Sequence, residues 1–347
     1  MSSRLDADAD VLVAGGGPVG LAAAVLARDA GLSVVVVEPR RAPVDKACGE
    51  GLMPAAVAGL ARIGVTPAGR PFAGIRYVGA GRSVESAFRA GPGLGVRRTT
   101  LHAALLERAV AAGVELRSGT VEEVEQDADG VTAAGLRTSW LLAADGLHST
   151  VRRHLGLRGE SVAGRARYGL RQHFATRPWS EYVEVHWSEH AEAYVTPVSD
   201  DLVGIAVLTG RDGRSFNAVL DDFPELRARL RGAPAVTRVL GAGPLRQVTL
   251  TPRQGRVLLV GDAAGYVDAL TGEGVAVGLA TARAAVEAVS AGRPEDYPAA
   301  WRQVSRRYRW SATALVTAAS RPAVRRRLVP AAAALPWVFG LAVDHVA

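Results

Sequence analysis

Residues 10–14, DVLVA, run without interruption into Gly15, Gly16, Gly17 and Gly20, and the alanine-rich stretch 21–30 follows before Gly31. A short apolar strand, a glycine-dense turn and a helix in that order leave few folds open. The next apolar run, residues 33–37, ends at Glu38, and unbroken apolar strands are expected where a parallel sheet is covered on both faces. The pattern predicts a βαβ unit. In Gly15-x-Gly17-x-x-Gly20 the first glycine permits a tight turn and the second lets the backbone approach a pyrophosphate at the helix N-terminus. The third lets helix and strand pack closely. Pro18 and Val19, between the glycines, belong to the same candidate set. Glu38 stands 18 residues past the last glycine, where a carboxylate accepts hydrogen bonds from both ribose hydroxyls and disfavours a 2′-phosphate. The expected nucleotide is the adenosine half of FAD or NAD rather than NADP.

A chain of 347 residues favours two folded units, or one interrupted by another. Residues 101–112 have helical spacing with Leu101, Leu105 and Leu106 inward, and Gly113 closes that helix before a strand at 114–117. From 168 to 208 the texture changes to short alternating strands, which predict an antiparallel sheet with one face open to ligand or solvent, and residues 73–88 share that character. Residues 256–260, RVLLV, return to a buried parallel strand before a long alanine-rich helix at 274–290. The expected fold class is α/β. A Rossmann-like nucleotide domain (residues 1–72, 98–160 and 250–297) is interrupted by a mostly antiparallel β-sheet substrate domain (73–97 and 161–249) and followed by a C-terminal helical segment (298–347).

Composition narrows the function. Cys48 is the sole cysteine, which removes intramolecular disulfides and multi-cysteine zinc sites, and the seven histidines show no paired ligand spacing, so no metal is expected. The N-terminus lacks the basic-then-apolar order of a secretory signal, and a cytoplasmic location is expected. The formal charge is +7, but the arginines and the single lysine, Lys46, are scattered along the chain, so no nucleic-acid partner is expected. Arg325, Arg326 and Arg327 precede an apolar stretch, 328–343, that Pro330 and Pro336 interrupt. A spanning helix does not fit there. Packed helices are expected, with a peripheral membrane contact through this segment as the other reading.

Two further segments pair a strand end with an acid: Ala144-Asp145-Gly146-x-x-Ser149-x-Val151-Arg152 and Gly261-Asp262-Ala263-Ala264. Both resemble segments of the FAD-dependent oxidoreductases of the p-hydroxybenzoate hydroxylase type, a superfamily that includes the geranylgeranyl reductases. The resemblance implies FAD as cofactor, with Asp262 on its ribityl chain. Arg98-x-x-Leu101-x-x-x-Leu105 is similar to the family's arginine-bearing helix start, and an arginine fork suits a diphosphate. Residues 46–54, KACGEGLMP, resemble the Pro-Cys-Gly segment that geranylgeranyl reductases place near the isoalloxazine. Thr271-Gly272-Glu273-Gly274 resembles their Thr-Gly-Glu-Gly loop, where Gly272 and Gly274 would bring N–H groups and a helix dipole to the flavin pyrimidine oxygen.

The reductases' Trp-x-Phe-Pro motif is present only as Tyr194-Val195-Thr196-Pro197, and Cys-Gly-Glu-Gly-Leu also looks like actinobacterial flavin monooxygenases that tailor aromatic or polyketide metabolites. The favoured expectation is an FAD-dependent, NAD(P)H-consuming monooxygenase. It would use molecular oxygen, through a flavin C4a-hydroperoxide, to hydroxylate or epoxidise a small apolar aromatic or polyketide-like metabolite. The alternatives are an FAD-dependent reductase that saturates an alkene and, in a different class, a non-catalytic flavin-containing module at a membrane. Halogenation is not expected, since no Gly-x-Trp-x-x-Ile-Pro segment is present. No second glycine-rich βαβ unit exists for NAD(P)H, so the donor is expected to dock transiently; Arg40 and Arg41 either hold phosphates or are exposed charge. Cys48 and Glu50 are the candidate catalytic residues, Cys48 shaping the flavin pocket or simply inert, Glu50 steering a proton or bonding its own loop. His173 and His186 are either substrate bases or ordinary polar sheet residues.

Overall fold

The computed structural model describes residues 7–160, 166–210 and 213–347. Residues 1–6 and 161–165, with which two of the expected domain segments begin, lie outside the described residues. The strand Ala9–Ala14 is central to the first sheet and pairs in parallel with Val34–Glu38 on one side and Leu136–Ala143 on the other. Glu115–Ser118 extends the sheet beyond the former and Val257–Leu259 beyond the latter, again in parallel. Leu12, Val36, Leu141 and Leu258 are buried because helices cover both faces. Helix Pro18–Asp29 packs on Arg98–Ala111 and Gly274–Ser290. Its crossing with the last is close: a Cβ on Gly278 would stand 2.4 Å from Val19 Cγ2.

Apolar spacing alone misplaces two boundaries. Helix Arg98–Ala111 begins at the arginine that the resemblance puts at a helix start, three residues before the first inward leucine, since its opening turn, Arg-Thr-Thr, carries no apolar signal. The strand expected at 114–117 is Glu115–Ser118, an edge strand whose four residues are all exposed. Only Val114, just before it, is buried.

The second sheet has seven strands in the order Leu240–Ala242, Tyr168–Ala175, Leu202–Thr209, Ala191–Pro197, Tyr182–Trp187, Gly74–Gly79, Arg82–Ala87. Every neighbouring pair is antiparallel except Tyr182–Trp187 with Gly74–Gly79. Two-residue periodicity separates its faces. Val203, Ile205 and Val207 pack on the short helices Phe216–Leu220 and Pro224–Arg229. Val183 and Val185 face a cavity, while Glu184 and His186 between and beyond them are buried and bonded to each other at 2.9 Å. His186 therefore belongs to the sheet and not to a substrate site.

Helices Tyr297–Ala319, Pro322–Ala334 and Pro336–Val346 finish the chain, the last two bent by 106°. Val329, Phe339 and Val343 anchor them in one apolar cluster with Tyr77, Val84 and Trp187. Among the described residues no single helix is long and apolar enough to cross a membrane. The arginine triplet does not form one basic patch. Helical rotation turns Arg325 inward, where it donates to Glu192 Oε1 at 2.6 Å and to the Ser188 carbonyl at 2.6 Å, its guanidinium stacked over Trp187. Arg326 and Arg327 alone remain at the surface.

Candidate active site

The first sheet, the second sheet and the C-terminal helices enclose one cavity of about 1610 Å³. Its polar end is built on the glycine turn. Gly15 has φ +99°, and a Cβ there would lie 2.7 Å from the Ala144 carbonyl oxygen; a Cβ on Gly20 would lie 1.8 Å from the Gly15 oxygen. Gly17 differs. As the N-cap of Pro18–Asp29 it opens onto the cavity, with only Arg98 Nη2, 3.8 Å away, near the space its Cβ would take. The unbonded N–H groups of that first turn favour negative charge there. His102, one helical turn after Arg98, donates from Nε2 to the Gly16 carbonyl at 3.0 Å and fixes the turn from below.

Glu38 Oε2 accepts the Gly16 N–H at 2.8 Å, and Oε1 accepts the Arg40 N–H at 3.0 Å and Arg40 Nε at 2.7 Å. Burial would raise the Glu38 pKa, but the Arg40 and Gly16 bonds outweigh it and hold the carboxylate below its usual range. The Arg40 guanidinium is bonded to Glu38 through Nε and Nη2 and lines the cavity, so it is neither an isolated surface charge nor remote from the nucleotide end. Arg98 is no surface charge either. Burial lowers its pKa against the opposing attraction of Asp262 and Glu50, and its Nε has no partner.

Asp145 Oδ2 accepts the Val151 N–H at 3.1 Å, and its buried Oδ1 has no partner. Asp262 lies in the turn Gly261–Ala264, where burial raises its pKa while Lys46, Arg98 and Arg152 oppose that shift. Arg152 ties the two acid segments together. Fully buried, it donates to the Asp262 carbonyl at 3.2 Å, Ala263 at 2.9 Å, Leu147 at 2.9 Å and Gln247 Oε1 at 2.9 Å. It stands in the quoted Asp145 segment, yet nothing in one sequence marks it as an internal clamp.

In the loop before Gly274–Ser290, Gly272 has φ +72° and a Cβ would meet Met53 Cε at 2.7 Å. Its N–H is turned back onto the Ala269 carbonyl at 3.2 Å, so the N–H groups facing the cavity from this loop are those of the helix start at Gly274. Gly272 and Gly274 both line the cavity. Burial raises the pKa of Glu273, the N-cap, to about 7.

Cys48 and Glu50 both line the cavity. Glu50, however, is spent on structure. Oε1 accepts the Arg98 N–H at 2.8 Å, and Oε2 faces His173 Nε2. Arg171 Nη1 lies 3.1 Å from His173 Nδ1. Arginine can only donate, so Nδ1 accepts and the ring proton sits on Nε2 toward Glu50. His173 is fully buried in this chain of bonds and does not line the cavity. These bonds are what the loop-bonding reading of Glu50 expects.

One match decides what this cradle is for: the FAD binding domain family covers residues 8–291. The chain belongs to that family. FAD is its cofactor, NAD(P)H the reductant typical of the family, and the protein an FAD-dependent oxidoreductase. The FAD-binding chain is 33% identical over 326 residues to the menaquinone reductase of Mycolicibacterium smegmatis, covering 84% of this chain and 79% of that one. It is 30% identical over 322 residues to the para-nitrophenol 4-monooxygenase of Pseudomonas sp., covering 81% and 77%. The crystal structure of p-nitrophenol 4-monooxygenase from Pseudomonas putida superposes with a TM-score of 0.78 at 22% identity, covering 97% of this chain and 94% of that one. The fold is shared. The residues present fit the dinucleotide: Gly17 leaves open the space a diphosphate needs, and the orphaned Asp145 Oδ1 and Arg98 Nε are buried polar atoms awaiting partners.

Proposed function

We propose that this FAD-dependent oxidoreductase saturates an alkene in a long, apolar, isoprenoid-type chain. The observation that carries the reading is the shape of the cavity. From the Gly272 loop it continues between the second sheet and the C-terminal helices, walled by Ile75, Val183, Val185, Leu315, Leu328 and Val346. The volume of about 1610 Å³ takes in the FAD cradle as well, and beyond that cradle the lining is almost wholly apolar. An apolar wall drawn from both the second sheet and the C-terminal helices suits a chain-like substrate, which favours the reductase over the monooxygenase that the sequence favours. The menaquinone reductase relative supports the same direction.

In this reading Gly15, Gly17, Pro18, Val19 and Gly20 with Arg98 hold the diphosphate, and Glu38, held charged and oriented by Arg40, takes the adenosine ribose. Asp145, Gly261 and Asp262 meet the ribityl side, and Gly272 shapes the loop that presents the helix start at Gly274 to the ring. Held by these residues and reduced, FAD would supply hydride-transfer chemistry toward one alkene carbon. The apolar wall excludes water and holds the double bond in line. Cys48 lines the cavity with its Sγ accepting the Glu50 N–H at 3.4 Å, and its thiol would deliver the proton to the second carbon. The π bond would be consumed, two C–H bonds would form, and the Cys48 sulfur would regain its proton from solvent.

The test is an assay of FAD-loaded protein with NAD(P)H and a prenyl quinone, under nitrogen and under air. Product gaining two hydrogens without oxygen is expected. A product formed only in air, heavier by one oxygen atom, would overturn the reductase reading in favour of monooxygenation, which the para-nitrophenol 4-monooxygenase relative supports.

A further inference from the structure

Residues 298–347 carry eight arginines against one acid, Asp344, while the rest of the chain holds 33 basic and 33 acidic side chains. The whole net charge therefore resides in the C-terminal helices. The same helices expose large apolar side chains: Trp310 is 70% exposed, Trp337 68% and Leu341 53%. On Tyr297–Ala319 the exposed residues Arg306, Trp310, Ala314, Thr317 and Arg321 (the last just past its C-cap) recur every three or four positions and so form one stripe. Trp310, Leu335 and Leu341 are at once exposed and cavity-lining. The apolar end of the cavity thus opens through this surface.

We propose that this surface seats the enzyme on an anionic phospholipid bilayer, with Trp310, Trp337 and Leu341 entering the headgroup boundary and the surrounding arginines meeting lipid phosphates. An apolar face bearing tryptophan, rimmed by arginine, is the composition of a helix that lies in an interface. Charge complementarity selects an anionic surface over a neutral one, because each basic residue near such a surface contributes about 1 kcal/mol. The contact is peripheral. Arg325 is bonded to Glu192, and Val329, Phe339 and Val343 are anchored in the protein's own core, so the bent pair cannot leave the sheet to span the membrane. A chain-like substrate held in the bilayer would then enter the cavity without crossing water. The docking stands on the surface alone, whatever reaction the site performs.

The experiment is flotation of the FAD-loaded full chain with vesicles of phosphatidylcholine alone and of phosphatidylcholine mixed with phosphatidylglycerol. Strong binding to the mixed vesicles and weak binding to the neutral ones are expected, falling as salt rises. W337S should weaken partitioning about tenfold and R326Q/R327Q roughly 30-fold, both with unchanged flavin content, since none of these residues lines the cavity. Absence of flotation with either vesicle would overturn the proposal. So would equal binding of wild type and both variants, or a concentration-dependent dimer abolished by W337S without vesicle binding, which would assign the patch to a second copy of the chain. Vesicle binding without alkene reduction would leave the docking standing and sink the reductase reading.

Discussion

His173 Nε2 lies 2.5 Å from Glu50 Oε2, and both side chains are buried. This bond joins the loop carrying Cys48 to the second sheet, while Glu50 Oε1 joins the same loop to the start of the Arg98 helix. Glu50 holds φ +59°, a left-handed conformation that a non-glycine residue keeps only when its surroundings impose it. The carboxylate therefore locks the wall of the site. Glu50→Ala should cost roughly 2–6 kcal/mol by leaving two buried donors, His173 Nε2–H and the Arg98 N–H, without their acceptor, and Glu50→Gln less. Urea midpoints with and without added FAD check this.

Two of the three fingerprint glycines separate folding from binding. Gly20→Ala drives a Cβ to within 1.8 Å of a backbone oxygen and should prevent normal folding. Gly17→Ala meets no protein atom closer than 3.8 Å, so it should keep the native circular dichroism while losing FAD at least about tenfold, because the methyl occupies diphosphate space. Flavin absorbance after gel filtration distinguishes the two.

Glu273 makes stability fall as pH rises. Its pKa is raised from 4.5 to about 7, so between those values the folded state binds more protons than the unfolded chain, and ionisation opposes folding. A loss of on the order of 2–3 kcal/mol is expected from this group between pH 4.5 and 7. Glu273→Gln removes that slope and should be more stable than wild type at pH 8. Denaturation at pH 5 and at pH 8 tests the sign.

Arg325 and Arg327 are near neighbours with different consequences. Arg325→Ala strips Glu192 of a 2.6 Å partner in a buried setting and should cost about 3 kcal/mol or more. Arg327→Gln, at the surface, should change the melting temperature little, its effect staying within about 0.5 kcal/mol. Thermal melts of both variants make the comparison.

Much of the nucleotide half was legible because its signals are local. The strand, the glycine spacing and Glu38 each follow from backbone sterics within a few residues, and Val34–Glu38 and Gly274–Ser290 lie where the apolar runs and the alanine-rich stretch predict. Arg152, His102 and the Glu50–His173 bond were not legible. Each depends on partners far apart in the chain, up to 123 residues for Glu50 and His173, and a single sequence carries no record of such pairings.

The sequence by itself determined the α/β class, the FAD cradle and the alternation of the second sheet, since sterics and hydrophobic periodicity act over a few residues at a time. Only the tertiary structure decided that Arg40 serves Glu38, that Arg325 turns inward, and that the second sheet and the C-terminal helices line one apolar space beyond the Gly272 loop. A cavity is what three separate elements leave between them. Its lining is therefore a property of their packing, not of any one segment.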